Sequence, residues 1–295
     1  MGASQFFTNH LLPHTEAYTA QLVSASIANS KPYPSGQYVG YVNALIAGLI
    51  IDNYWYELDR MWIFAAEQRV HAQLSIVNPS GLNASWPVAL SEQTNGGTLT
   101  WNAGQGYTNY HSGAITPAYL DLMWKPSDGP NFYDNSAAIG VYSYSDINLA
   151  GTWDVGAADA TNIASLTCGN GFNKGGYLNN DSTHLYLYSN SNHHTGSLTT
   201  LTRYSNVNVH YEGGLVGYGT ASASPARPTV NAYALTYNLN GTPAHSTTTP
   251  PPGLIMNAGR LLSMVFFGAG ALDQTAFYNT FQAFATAIGF NQYYP

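Results

Sequence analysis

Charge is scarce in this chain of 295 residues: Lys and Arg number 8, Asp and Glu 15, and together they make up 8% of the sequence against a usual quarter. The formal net charge is −7, and no basic stripe is available to neutralise phosphates, so nucleic acid and anionic membrane are poor partners. Cysteine is almost absent. Cys168 stands alone, which excludes an internal disulfide and any multi-cysteine metal site. No run approaches the roughly 18 apolar residues of a membrane span, so membrane insertion is not expected. The segment Met1-Gly2-Ala3-Ser4-Gln5-Phe6-Phe7 lacks the basic start and apolar core of a secretion signal. Phe6 sits where an N-myristoylation motif wants Ser or Thr. The expected place of synthesis is a cytoplasm, with the chain kept there or carried out by assembly or lysis.

What is present is apolar and aromatic. Hydrophobic residues make up 45% of the chain and Tyr alone has 23 copies, enough for a real core and a neutral-polar, aromatic surface. Leu261 to Phe267 is a nearly unbroken apolar run closed by Gly268-Ala269-Gly270, the pattern of a strand buried on both faces. Asp273 is placed to cap a helix whose Phe277, Phe281, Phe284 and Ile288 recur on one side, with Gly289 ending it. Such a stripe demands a large apolar partner, which the preceding sheet residues provide.

Earlier in the chain, residues 1 to about 38 mix isolated apolar positions with Ser, Asn, Pro and Gly, and Lys31 to Gly36 should be extended around its prolines. This is an N-terminal arm, expected to dock on its own domain, a sister subunit or another protein. Tyr41, Val42, Leu45, Ile46, Leu49 and Ile50 fall on one helical face. Trp55, Leu58 and Trp62 continue a helical stripe, Met61 to Ala66 run extended, and Gln68 to Leu74 add a turn or two of helix before Asn78-Pro79-Ser80-Gly81.

From about residue 82, short β-prone runs alternate with turn clusters. Strands are expected near 84–89, 98–101, 118–123, 137–143, 162–167, 184–188, 198–203, 207–211, 215–218, 232–239 and 261–267. Gly213-Gly214 predicts a tight hairpin between two of them. The count suits a two-sheet jelly roll. The expected fold is therefore mainly β: a helical lead-in over about 39–78, a sandwich over about 82–267, and a closing helix over about 273–289, all within one domain, 39–295.

The order of features resembles the laminin-G or concanavalin A-like jelly-roll proteins of bacteriophage virions, such as tail-fibre and decoration proteins. The likeness is carried by Tyr41-Val42-Asn43-Ala44-Leu45-Ile46 leading into Trp55 to Ala66, by Val77-Asn78-Pro79, and by Leu99 to Tyr107 before Tyr119-Leu120-Asp121. Asn135 to Ser143, Asn238-Leu239-Asn240-Gly241 and the Gly268-Ala269-Gly270 turn into the phenylalanine helix complete it. The resemblance spans roughly residues 40 to 290. It implies a concanavalin A-like jelly-roll fold and a virion context, and it does not reach the N-terminal arm; other virion proteins bound through that arm and further copies of the chain in a homo-oligomer are the partners expected beside it. The resemblance carries over no catalytic residue.

Chemistry-bearing candidates are few. Glu57-Leu58-Asp59 has half of the paired-acid pattern of some jelly-roll glycosidases. The third acid is missing, and in a helix residues two apart do not face together, so a surface pair salt-bridged to Arg60 or Arg69 is expected. His193-His194 lacks metal-ligand spacing. Asn179-Asn180-Asp181-Ser182 lacks a calcium loop's acid ladder, and Cys168 is expected to be inert. No cofactor or metal is expected.

One stretch stands out. In His184-Leu185-Tyr186-Leu187-Tyr188 strand alternation sends His184, Tyr186 and Tyr188 to one face. With His193 and His194 nearby, that face suits either a packed interface or sugar rings stacked on tyrosine. The expectation is a non-enzymatic virion structural protein that touches host surface polysaccharide. A lectin-like receptor binder and a polysaccharide-cleaving enzyme are the alternatives.

Overall fold

The computed structural model describes residues 12–77, 89–94, 97–110, 118–144, 154–159, 162–167, 174–179, 185–187, 197–205, 207–212, 215–220, 226–244, 261–270 and 273–289. The described residues open with helices α1 (Leu12–Ala28) and α2 (Gly36–Ile51), strand β1 (Leu58–Ile63) and the short helix α3 (Arg69–Ala72). Strands β2 (Ser91–Gln93), β3 (Thr98–Asn102), β4 (Gly106–Tyr110), β5 (Tyr119–Asp121), β6 (Ser136–Ser143), β7 (Val155–Ala158) and β8 (Ile163–Thr167) follow. Then come β9 (Lys174–Leu178), β10 (Leu185–Leu187), β11 (Ser197–Tyr204), β12 (Val207–Glu212) and β13 (Leu215–Thr220). The chain closes with β14 (Tyr233–Ala234), β15 (Tyr237–Leu239), β16 (Thr242–Ala244), β17 (Leu262–Gly268) and α4 (Gln274–Ala287).

The strands form a two-sheet jelly-roll sandwich with flanking helices. The first sheet runs β13-β12-β11-β6-β17-β4-β3, with β1 also on β17, and the second runs β10-β9-β8-β7-β14-β5-β2. At the centre of the first sheet lies β17, every residue of it buried. One edge pairs with β6 from Phe267↔Ile139 to Leu262↔Ser143. The other edge is divided, Leu262 facing Tyr107 of β4 and Met264 to Gly268 facing β1.

Strand alternation splits the residues of β17 between two layers. Phe267 lies against Trp124 (4.6 Å) and Phe132 (6.2 Å) inside the sandwich. Phe266 lies 4.7 Å from Phe277 of α4, and Tyr142 of β6 lies 5.3 Å from Phe281. Gly140, directly opposite Phe266, leaves the room that this ring occupies. The expected lid helix is present: Asp273 accepts from the amides of Thr275 and Ala276, and Phe277, Phe281 and Phe284 are buried. Its polar Gln274 is buried too, bonded to Thr200 and Thr202 of β11. Beside it lies α2, close enough that a Cβ on Gly48 would sit 2.7 Å from Thr280 Cγ2. Thr280 also donates to Asp52, just past the end of α2.

Several expectations are corrected. The Trp55–Leu58–Trp62 stripe is not helical; β1 starts at Leu58. Leu58, Met61, Trp62 and Ile63 are all buried, and a strand buried on both faces shows an apolar pattern that mimics helical spacing. Within the expected arm, residues 12–28 form a helix that was not foreseen, α1, whose buried side chains Thr15, Tyr18, Leu22 and Ser26 follow a helical interval with hydroxyl residues among them. The 232–239 run is two strands, because Leu235 takes φ 67 and the chain turns from an antiparallel to a parallel partner of β7. Strands β2, β4, β7, β9 and β16 were not foreseen; β7 is Val-Gly-Ala-Ala and carries almost no β-branched signal. The Glu212↔Leu215 pairing fits a two-residue hairpin connection, though 213 and 214 lie outside the described residues. The 84–89 strand falls almost wholly outside them as well.

Phe277→Ala should lower the unfolding free energy by about 3–5 kcal/mol, because it empties the contact between lid and sheet. Asn279→Ala, on the same helix but exposed, should change it by no more than about 0.5 kcal/mol. Denaturant titration of both variants measures the difference.

Candidate functional site

Of the tyrosine and histidine stretch at 184–194, the structure describes residues 185–187. His184, Tyr188, His193 and His194 lie outside the described residues, as does Cys168. Tyr186 is in β10, its backbone paired with Gly175 of β9. Asn179, expected in a polar turn, takes φ 53 and donates from Nδ2 to the Tyr133 carbonyl at 3.0 Å.

The acidic residues have distinct surroundings. Between Leu58↔Gly268 and Arg60↔Phe267 the register of β1 slips by one residue, making Asp59 a bulge. Bulges re-aim a side chain, and here the carboxylate turns inward. Asp59 is 0% exposed and accepts from the backbone amides of Asn131 (3.0 Å) and Phe132 (2.8 Å). Burial pushes its pKa up to about 6 in spite of those donors. The expected surface pair is therefore wrong for Asp59, and Arg69 belongs to Glu92 instead.

Glu92, on β2, accepts from Arg69 Nε and Nη2, from Gln73 and from Tyr107 Oη. Burial acts to raise its pKa, but these donors outweigh it and the net shift is downward. Asp121 accepts from the Met123 amide and Asn231 Nδ2, and burial raises its pKa. Asp159 accepts from Asn162 and Thr229. Each acid thus holds its own local structure. Among the described residues no three His, Cys, Asp or Glu side chains converge as a metal site would need.

A serine and a histidine do meet. Ser26 Oγ lies 2.8 Å from His71 Nε2, and the His71 ring stacks at 6.1 Å on Tyr38. Both Ser26 and His71 are 0% exposed, and burial lowers the histidine pKa. Without access for a substrate, this pair ties α1 to α3 and is not a nucleophilic dyad.

One open cleft has chemistry at its walls. It measures about 380 Å³ and is formed where the first turns of α2, the segment after β1, the turn between β3 and β4, and the end of α4 converge. Ser35 caps α2, its hydroxyl accepting from the Tyr38 amide. Glu67 accepts from the Ser35 amide (2.8 Å) and hydroxyl (2.6 Å), one bond per carboxylate oxygen. Gln37 Nε2 donates to Tyr41 Oη at 2.7 Å. The remaining walls are small or apolar, including Gly104 and Ile288. Sequence reasoning missed this site because its four segments are remote in the chain; the only local sign was Ser35-Gly36 before the α2 periodicity.

No protein-family model and no curated protein matches the chain. Among solved structures, it is similar to domain 4 of AbnA, a GH43 extracellular arabinanase from Geobacillus stearothermophilus in complex with arabinotriose. Identity is 14%, the TM-score 0.45, and the match covers 76% of this chain and 98% of that one. Trypanosoma rangeli sialidase is similar at 8% identity and TM-score 0.44, over 84% of this chain and 39% of that one. The CBM2 module of Lactobacillus casei BL23 phage J-1 evolved Dit is similar at 11% identity and TM-score 0.38, over 64% and 94%. At these identities and scores the likeness carries neither a family nor an activity to this chain.

The folded Asp59 holds its proton to about pH 6, whereas an unfolded carboxylate releases it near pH ~3.9. Its contribution to stability is therefore complete below that lower value and is lost as pH rises through 6. Denaturant melts at pH 4, 5, 6 and 7 should show the advantage of wild type over Asp59→Asn shrinking with rising pH. A constant difference would mean that Asp59 does not titrate in this window.

Proposed function

We propose that this chain is a non-enzymatic structural protein of a bacteriophage particle, a jelly-roll module that contacts surface glycans. The observation that carries the non-enzymatic part is the separate placement of Asp59, Glu92 and Asp121 among the described residues. Glycoside hydrolysis by two carboxylates requires both to flank one bond within a shared cleft. Asp59 is sealed under the 129–132 backbone, Glu92 is clamped by Arg69, Gln73 and Tyr107, and Asp121 is bonded to Asn231. Glu67 is the one acid lining the cleft.

The particle context comes from the sequence resemblance over residues 40 to 290. Low charge and a lone cysteine are compatible with it. Glycan contact is supported by the cleft, whose hydroxyl, amide and carboxylate groups stand among small and aromatic walls, the composition expected where ring hydroxyls must be matched. No helix among the described residues is long and apolar enough to cross a membrane.

Incubation of the purified chain with bacterial surface polysaccharides should release no new reducing ends, while the same glycans immobilised on a surface should retain the chain. Reducing-end release that disappears in Glu67→Gln would overturn the non-enzymatic assignment. Density for this chain in a map of the intact particle, at a copy number matching its neighbours, is the expected result for the structural role; its absence from the particle would remove that role.

A further inference from the structure

We infer that the cleft between α2 and the end of α4 is the glycan-contact site and that it takes a non-acidic saccharide end. This deepens the glycan reading above and rests on it. The volume, about 380 Å³, lies within the range of small-ligand sites, about 300–1,000 Å³.

The electrostatics decide the ligand class. Glu67 is the one charged side chain lining the cleft, and no Lys, Arg or His lines it. Glu67 stands at the start of α2 and accepts from the Ser35 amide and hydroxyl. A uronate, sialate or phosphate-bearing sugar would bring like charge to this carboxylate with no cation to balance it. A neutral or amino-bearing sugar brings donors instead.

The hydrogen-bonding capacity matches such donors. A carboxylate has about four acceptor positions, and Ser35 occupies one on each oxygen. Gln37 donates to Tyr41 Oη, which leaves the phenol proton to be donated to a ligand oxygen and the Gln37 carbonyl to accept. Ala103, Gly104 and Ala287 keep the walls low enough for a sugar ring to approach that row.

The test is a glycan array probed with the full chain, carrying neutral hexose, N-acetylhexosamine and free-amine hexosamine ends beside uronate and sialate ends. Signal should be confined to the non-acidic ends. Glu67→Gln, which retains an oxygen for Ser35, and Tyr41→Phe should each weaken binding about tenfold. Ala287→Trp, at an exposed position on the rim, should abolish binding with an unchanged melting temperature. Binding of the Ala287→Trp variant at wild-type strength would overturn the cleft assignment while leaving the glycan reading intact. Preference for uronate or sialate ends would overturn the ligand class. If wild type bound no glycan, the underlying reading itself would fail, and the cleft assignment with it.

Discussion

Burial of the β17–β6 pair on both of its faces is the constraint from which the architecture follows. A strand in a two-layer sandwich normally has one face on the core and one toward water. Here Val265 and Phe267 alternate with Met264 and Phe266, and all four are 0% exposed. Leaving the outward set in water would forfeit about 1.5–3 kcal/mol for each large side chain. A third layer is therefore needed, and α2 and α4 supply it. The Phe266–Phe277 and Tyr142–Phe281 contacts join that layer to the sheet, and Gly48 lets the two helices approach each other. The cleft is a by-product of the same requirement, since it opens where α2 begins and α4 ends.

Scarcity of charge shapes the interior as much as the surface. Arg203 is 1% exposed on a strand of the first sheet, and its Nη1 donates to the Leu178 carbonyl of the second sheet at 2.8 Å. Nη2 reaches Asn135 Oδ1. Burial pulls the guanidinium pKa down, with Asp134 opposing, so the cation is held by oriented oxygens on both sides of the sandwich. Asp59 is the complementary case, an acid turned inward by a bulge and met by two backbone amides. Buried charges of this kind add little net stability but make wrong arrangements costly, because each would leave an uncompensated group.

What the sequence made legible was periodic and local. The apolar run at 261–267, the phenylalanine spacing of α4 with its Asp273 cap, and the α2 stripe were readable because their neighbours in space are also neighbours in the repeat. Strand β1 was misread because burial on both faces erases alternation. Helix α1 was missed because Thr15 and Ser26 interrupt its buried stripe, and Ser26 is there to meet His71, 45 residues away. The 232–239 run looked continuous because nothing local announces that Leu235 adopts a positive φ. The cleft was illegible for a simpler reason: it is an intersection of four segments, and no single one carries its chemistry.

The 23 tyrosines suggest an aromatic surface, and the structure gives seven of the described ones a different task. Tyr18, Tyr38, Tyr54, Tyr107, Tyr119, Tyr142 and Tyr233 are all buried. Tyr119 and Tyr233 stack on each other at 4.3 Å with 6% exposure each, so their ring faces are not available to a sugar. Burial raises the hydroxyl pKa of Tyr107, Tyr142 and Tyr233, which keeps them neutral. In a chain with few charges, a buried tyrosine fills volume like phenylalanine while its hydroxyl can satisfy a polar neighbour, as Tyr107 does for Glu92. Tyrosine at these seven positions therefore reports on packing, and recognition has to be sought where a ring stands at a concave edge beside unfilled acceptors. Among the described residues Tyr41 meets that condition, with Glu67 bonded to Ser35, the cap of the same helix.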